Sequence, residues 1–294
     1  MEKQRVEWWH RRSERLLKTG LFITLFTIGL MVMYALHVLF GWNIPFDLLR
    51  ICNQWMKSHG WLSVSHLLET LVLCTFVLYV GYGLDQWYGS FRAMQRFRQL
   101  ENHRLSAKYN ERYRPDGRNI FMIVSCEQPL ALTIGIINRR IVLSEGLLAL
   151  LNEDERQAVL YHELFHYHQR DPLTTFLLRQ SACALWFLPV VRTLALHYKI
   201  SREILADNYA IEHLGTPVGI GGALLKLVKR SRSRMEMPAR MIYSSFADTS
   251  LNYRIQRIID PQSGVSPRLP WWSILVSLPV LILLSILLLW SLIE

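Results

Sequence analysis

Three long apolar runs stand out in the pattern of hydrophobic and polar positions along the chain. They cover residues 21–40, 62–84 and 271–293, and each is close to the roughly 20 residues that a helix needs to cross a bilayer. The first contains no formally charged residue and the second contains one, Glu69, while the third begins with two tryptophans, as is common at membrane interfaces. The pattern therefore predicts three transmembrane helices.

Between the second and third runs the pattern changes to shorter segments. Apolar and β-branched residues cluster in FMIVS (121–125), ALTIG (131–135) and RIVLS (140–144), which predicts a small sheet. A short helix is predicted after Ser144, and a longer one over 153–170, where Asn152 and Glu155 have the spacing of a capping box. Further predictions are a helical connector over 85–118, a helix from about residue 200 to Gly215, a loop over 226–240 and a helix over 245–260.

Composition and charge support the membrane reading. Hydrophobic residues make up 51% of the 294 residues, charged residues only 19%, and the net charge is +10. Six Lys or Arg residues lie in 1–19 and eight in 85–120, whereas 41–61 contains only Arg50 and Lys57. By the positive-inside rule, the N-terminus and the region after residue 85 are expected in the cytoplasm of a bacterial cell, with a lipid bilayer between them and 41–61. These positions explain the charge without a direct nucleic-acid partner.

The densest cluster of chemically active side chains is VLYHELFHYHQRDP, residues 159–172. His162 and His166 are four residues apart, so their rings project from one face of the predicted helix. This spacing allows both rings to bind one zinc ion, while the adjacent Glu163 can act as a general base. The H-E-x-x-H pattern needs a third ligand to complete it.

A second helix supplies that ligand. In REILAD, residues 202–207, Glu203 and Asp207 also share one helix face. Glu203 can be the third ligand, leaving a fourth position open, and Asp207 can accept a hydrogen bond from the far nitrogen of a ligating histidine.

The ordered motifs HELFHYHQRDPL, WFLPVV and REILAD, with the flanking sequence over roughly 120–260, resemble the membrane metallopeptidases of the BlaR/MecR type. The resemblance implies an α+β, zincin-like metallopeptidase domain within a mainly α-helical membrane protein, with one zinc ion per chain. It also implies a protein or peptide substrate, such as a repressor of the BlaI/MecI type. Residue by residue, it implies zinc ligands at His162, His166 and Glu203, a catalytic Glu163, and supporting roles for Asp207 and Asp171.

Other site residues are less sharply indicated. Tyr209, His213 and Arg254 are candidates for stabilising the transition state, and the sequence does not rank them. The segment around Ala131, Leu132 and Thr133 is expected to be an edge strand that pairs with an extended substrate. Members of the resembled family cut themselves in the zinc domain, and the matching region here predicts cleavage between Ser245 and Phe246. The alternative is that this region only links to the last helix.

Another apolar stretch, residues 173–198, is predicted to be a bent hairpin rather than a fourth span. His166 and Glu203 must meet at one metal ion, and a single crossing between them would separate them by about 30 Å. Arg179, Arg192 and Pro189 inside the stretch also favour a shallow hairpin. The predicted organisation is two spans in 1–84, a cytoplasmic peptidase domain with this hairpin in 85–260, and a last span in 261–294.

The predicted function is zinc-dependent cleavage of cytoplasmic or juxtamembrane proteins, in regulatory proteolysis. Two alternatives stay open: a membrane quality-control protease of the HtpX kind, and a non-catalytic membrane receptor or scaffold. An intact set of ligands and base argues against the scaffold. Because the chain stops soon after its last span, no extracytoplasmic penicillin-binding sensor domain is expected. The oligomeric state, including a homo-oligomer, is not indicated by the sequence.

Overall fold

A computed structural model describes residues 2–40, 64–113, 117–232, 244–259 and 269–293. These residues form ten helices and one sheet of three strands. The helices are α1 (Glu2–Phe40), α2 (Val64–Gln99), α3 (His103–Arg112), α4 (Glu145–Leu150), α5 (Glu153–His168), α6 (Asp171–Ala184), α7 (Pro189–Leu214), α8 (Val218–Arg232), α9 (Ser244–Ile259) and α10 (Trp271–Ile293). The strands are β1 (Phe121–Val124), β2 (Ala131–Ile134) and β3 (Arg140–Ser144). The predicted α+β class with a mainly helical chain is confirmed.

The chain divides into two compact units, and one of them contains most of the apolar helices. This unit comprises residues 15–85, 177–195 and 268–294. Helices α1, α2 and α10 are long and apolar enough to cross a membrane. Met31 and Leu288 are fully buried among them, whereas Phe22 and Leu275 expose more than half of their surface. Buried apolar contacts inside and apolar side chains outside are what helices surrounded by lipid require.

The stretch 173–198 is divided between α6 and α7, which are separated by a turn at residues 185–187. Pro189 begins α7, where its missing N–H costs nothing, and the N–H of Val190 donates to the Ser277 hydroxyl at 2.9 Å. The prediction that this helix starts near residue 200 was wrong. A proline within an apolar stretch indicates a bend, but a proline is also well suited to the first helical position.

The other unit comprises residues 1–14, 86–176 and 196–267 and contains the sheet. The strand order is β1-β3-β2, with β3 parallel to β1 and antiparallel to β2. Strand β2 is therefore an edge of the sheet formed by the described residues. Ile123, Ile141 and Leu143 are buried in the sheet and pack in one core with Leu160 of α5, which fixes α5 against the sheet.

The first turns of α1 belong to this second unit. Trp9 is only 2% exposed and packs in one cluster with Phe165 of α5 and with Ile200 and Ile204 of α7. The guanidinium of Arg257 lies 5.5 Å from the centre of the Trp9 ring. The N-terminal end of α1 is thus part of the core around the active-site helix.

Two further boundaries differ from the predictions. The connector 85–118 is two helices, because Asn102 caps α3 with its side chain and its backbone N–H donates to Ile123 O at 2.8 Å. Helix α8 continues to Arg232, so the predicted loop does not begin at residue 226. Leu, Lys and Arg favour helix, and Lys226 is held there by Glu155 at 2.6 Å. Residues 233–240 lie outside the described residues.

Candidate metal centre

Helix α5 carries the first two site histidines and is held at its start by a capping box. The Asn152 side chain accepts from the backbone N–H of Glu155, and the Glu155 side chain accepts from the N–H of Asn152, both at 2.9 Å. Three acidic residues in the first turn add favourable interactions with the helix dipole. Each of these features was read from the sequence.

The structure brings His162, His166 and Glu203 together. One ligand atom from each of them lies within 4.8 Å of the others. The Nε2 atoms of the two histidines are 3.2 Å apart, and Glu203 Oε2 is 3.5 Å from His162 Nε2. Glu203 Oε1 is 4.0 Å from His166 Nε2. Helices α5 and α7 therefore meet at this cluster, as the sequence predicted for a shared site.

Each histidine is oriented by an aspartate on its other nitrogen. Asp207 Oδ1 lies 2.9 Å from His162 Nδ1, and Asp171 Oδ2 lies 2.6 Å from His166 Nδ1. A carboxylate at Nδ1 selects the tautomer with the proton there, which leaves the lone pair on Nε2. The two Nε2 lone pairs then point towards the same space beside a carboxylate. The donor set thus fits a divalent cation with nitrogen and oxygen ligands.

Two arginines hold the carboxylates of this cluster. Arg254 donates from Nε and Nη2 to Asp207 at 2.8 Å each, and from Nη1 to Glu203 at 3.1 Å. Arg202 Nε lies 2.8 Å from Asp171 Oδ1, and its guanidinium lies over the Phe165 ring. Arg202 was missed in the sequence, where only its position beside Glu203 could have signalled it.

Charge pairing sets the ionisation of the cluster. Burial alone would raise the pKa of Glu203, but the hydrogen bond to His162 and the charge of Arg254 hold that pKa well below its usual range. Asp207 follows the same pattern: burial opposes ionisation, and Arg254 and His162 lower its pKa. Burial and Arg254 lower the pKa of His162, but hydrogen bonds to Asp207 and Glu203 outweigh them and raise it to about 9. A cation that binds at Nε2 of His162 would therefore displace a proton from that atom. Both carboxylates are therefore ionised at neutral pH.

Glu163 is buried and contacts the edge strand. The Thr133 hydroxyl lies 2.8 Å from Glu163 Oε2 and 3.1 Å from the backbone oxygen of the same residue. The sequence indicates Thr133 only through its place in β2. The structure adds a direct contact between that strand and the residue expected to be the general base.

The other residues that the sequence predicts for the site do not all bond to the metal cluster. Of Tyr209, His213 and Arg254, only Arg254 has a hydrogen bond to a cluster carboxylate among the described residues. The ring centres of Tyr209 and His213 are 4.1 Å apart with the rings tilted at 45° to each other, and Tyr209 also contacts Phe165. Ser245 and Phe246 lie in the first turn of α9. Cleavage of the bond between them would require this turn to unwind into an extended segment.

Comparison with known proteins covers the part of the chain that carries this cluster. The family model described as BlaR1 peptidase M56 matches residues 41–258, which contain the whole cluster. The regulatory protein BlaR1 of Bacillus licheniformis is 28% identical over 147 residues, which are 49% of this chain and 24% of that protein. The chain thus spans about a quarter of the length of this relative. No solved structure matches the chain.

Proposed function

The chain belongs to the BlaR1 peptidase M56 family and is a membrane metallopeptidase; from this premise we propose that it is a zinc-dependent endopeptidase that cuts proteins on the cytoplasmic side of the membrane. The observation that carries the proposal is the pair of Asp–His hydrogen bonds, which leaves two Nε2 lone pairs converging beside Glu203. Such a set is typical of catalytic zinc sites with three protein ligands.

Zinc is the metal that fits the ligand types and spacing of this cluster. Two nitrogens bound to one tetrahedral zinc at about 2.0–2.1 Å are about 3.3 Å apart, and the His162 and His166 Nε2 atoms are 3.2 Å apart. Two imidazoles and one carboxylate also match the ligand types of zinc peptidases. We therefore assign one zinc ion per chain to His162, His166 and Glu203.

The chain's own side chains divide the reaction between them. When bound, zinc supplies a Lewis acid that polarises the scissile carbonyl. Glu163 takes a proton from the attacking water on Oε1 and returns it to the departing amine. Thr133 holds the other carboxylate oxygen, Oε2, at 2.8 Å and so restricts the rotation of the base. Arg254 holds Glu203 and Asp207 in place, and we assign it this role rather than contact with the substrate.

Strand β2 is the proposed docking site for an extended substrate. It pairs with β3 on one side and forms an edge of the sheet in the described part of the chain. Ala131, Leu132 and Thr133 would pair with the substrate backbone by adding a strand, with Thr133 closest to Glu163. The arrangement brings a bound peptide directly beside the base.

The proposed substrate is a cytoplasmic regulatory protein. The relative is named a regulatory protein. We propose that the substrate of this chain is a repressor of the BlaI/MecI type. Quantitative proteomics of cells that carry wild type or Glu163→Gln tests this choice. Accumulation of one cytoplasmic repressor in the variant supports it, whereas accumulation of many membrane proteins would support the quality-control alternative.

Metal content and cleavage test the enzyme itself. We expect purified wild type to hold about one zinc per chain and to lose cleavage when a chelator removes it. Glu163→Gln should keep the metal and lose cleavage, because it removes only the base. Glu203→Ala should lose both. Glu153→Gln is the matched control, since Glu153 lies on the same helix but is exposed; full activity of Glu163→Gln would contradict the mechanism.

A further inference from the structure

The two histidines of the metal cluster are supported by two series of contacts that differ in how the arginine is held. Each histidine contacts an aspartate, which in turn contacts an arginine. The residues are His162, Asp207 and Arg254 in one series, and His166, Asp171 and Arg202 in the other. Arg254 has three hydrogen bonds, two to Asp207 and one to Glu203. The plane of its guanidinium is therefore fixed by its own bonds.

Arg202 has no comparable set of hydrogen bonds. Its side chain is only 8% exposed, and its Nε atom lies 2.8 Å from Asp171 Oδ1. The Nε and Nη2 groups are buried without an aligned hydrogen-bond acceptor among the described residues. An ion pair without such alignment attracts the guanidinium but does not fix its plane, because the directional part of the interaction is missing. The orientation of Arg202 must therefore come from the side chains that pack against it.

Two aromatic rings pack against this guanidinium. Its Cζ atom lies 4.5 Å from the centre of the Phe165 ring and 6.0 Å from the centre of the Tyr198 ring. A buried guanidinium is attracted to the face of an aromatic ring at such distances. Phe165 is the nearer of the two, so the position of its ring determines where Arg202 meets Asp171.

The Phe165 ring is held in turn by the N-terminal end of α1. Trp9 packs in one buried cluster with Phe165, Ile200 and Ile204, and the ring centres of His10 and Phe165 are 6.3 Å apart. Protein interiors are close-packed, so the Phe165 ring cannot turn without displacing these neighbours. All of these residues belong to the unit that carries the sheet. A continuous series of contacts thus joins α1 to the metal cluster.

We propose that Arg202 and Trp9 are positioning residues for His166, so that the N-terminal end of α1 contributes to the metal affinity of the cluster. Trp9 keeps the Phe165 ring in place, and the ring orients Arg202. Arg202 then holds Asp171 against Nδ1 of His166. The inference rests on the proposed assignment of zinc to this cluster.

Zinc affinity of the purified full chain in detergent, measured by competition with a chromogenic chelator, tests the proposal. We expect Arg202→Gln to lower the affinity about tenfold, the lower end of the range for residues that support a metal ligand. Trp9→Leu acts one contact further away and should lower the affinity about threefold, as expected for residues that are coupled through shared contacts. Trp9→Phe keeps an aromatic ring in the cluster and should restore most of the affinity.

A double-mutant cycle identifies the route of the effect. In an Asp171→Ala background the effect of Trp9→Leu should disappear, because the contact that transmits it is already gone. In an Asp207→Ala background the effect should persist. This comparison is needed because the Arg257 guanidinium also lies over the Trp9 ring and belongs to α9, the helix of Arg254. An effect of Trp9→Leu that persists in the Asp171→Ala background would overturn the proposal.

Met122→Ala is the matched control for a loss of packing. Met122 of β1 is buried with Val142 on one face of the sheet, while Ile141 and Leu143 pack with Leu160 of α5 on the other. The substitution should leave zinc affinity unchanged, and elution volume checks that each variant is folded. Wild-type affinity in Arg202→Gln or Trp9→Leu, or an equal loss in Met122→Ala, would overturn this inference alone. Absence of zinc binding in wild type would overturn the proposed function with it.

Discussion

Asp171 and Asp207 act on the metal cluster through single hydrogen bonds to histidine nitrogens. Replacing either with asparagine keeps the size of the side chain but removes the charge that favours the Nδ1 proton. We expect Asp171→Asn and Asp207→Asn to lower zinc affinity by about 10–100-fold, measured by competition with a chromogenic chelator. Asp154→Asn, on the exposed first turn of α5, should leave the affinity unchanged. Wild-type affinity in both site variants would show that the aspartates do not orient the ligands.

Thr133 makes a separate prediction, because its hydroxyl contacts the base and not the metal ligands. Thr133→Val keeps the shape and removes the hydroxyl. We expect kcat to fall by roughly tenfold, equivalent to one hydrogen bond, with KM and zinc content unchanged. Thr133→Ser should restore kcat. A rise in KM with unchanged kcat would instead limit Thr133 to holding the substrate strand.

At the scale of single residues, the sequence indicated the proposed metal ligands but not all of their partners. His162, Glu163 and His166 lie on one helix, so their spacing alone predicts their geometry. Glu203 and Asp207 were recognisable because they repeat the same one-face spacing on another helix. Arg202 and Arg254 have no such signal, because their contacts depend on how α7 and α9 pack, which spacing along the chain does not contain.

Among the elements, α5 has the clearest local reason to form. Asn152→Ala removes one half of the capping box and should destabilise the chain by about 1 kcal/mol. For a unit of this size, that corresponds to a fall of about 2–4 °C in the unfolding midpoint, measured by a thermal scan of the zinc-loaded protein. Asn119→Ala, at an exposed position, should leave the midpoint within error. An equal shift in both variants would contradict a capping role.

Element type was easier to predict than element boundaries. The strands agreed closely, because turn residues separate β-branched runs. The start of α7 was misplaced because proline disrupts a helix interior but suits a helix start. The end of α8 was predicted too early because a run of basic residues is typical of a loop. In the structure, Lys226 of α8 bonds to Glu155 of α5. Such long-range contacts decide where a helix ends, and they become visible only in the folded chain.

For the whole molecule, the charge pattern predicts which side of the membrane each segment faces. We expect an impermeant maleimide added to intact cells to label Cys52, in the segment 41–61. In a chain without other cysteines, Trp186→Cys, in the turn between α6 and α7, should be labelled only after the cells are opened. The same should hold for a cysteine at exposed Asn119. Labelling of Trp186→Cys from outside would contradict a hairpin that enters and leaves on the cytoplasmic side.

Arg254 follows Asp207 by 47 positions and Glu203 by 51, yet it bonds to both. During synthesis, α5 and α7 therefore leave the ribosome well before the arginine that neutralises their carboxylates. Until α9 emerges, Glu203 and Asp207 lack that counter-charge, and domains fold as their parts become available. The newborn chain is thus expected to remain inactive until translation has passed α9, which keeps an unfinished protease from cutting its neighbours on the ribosome.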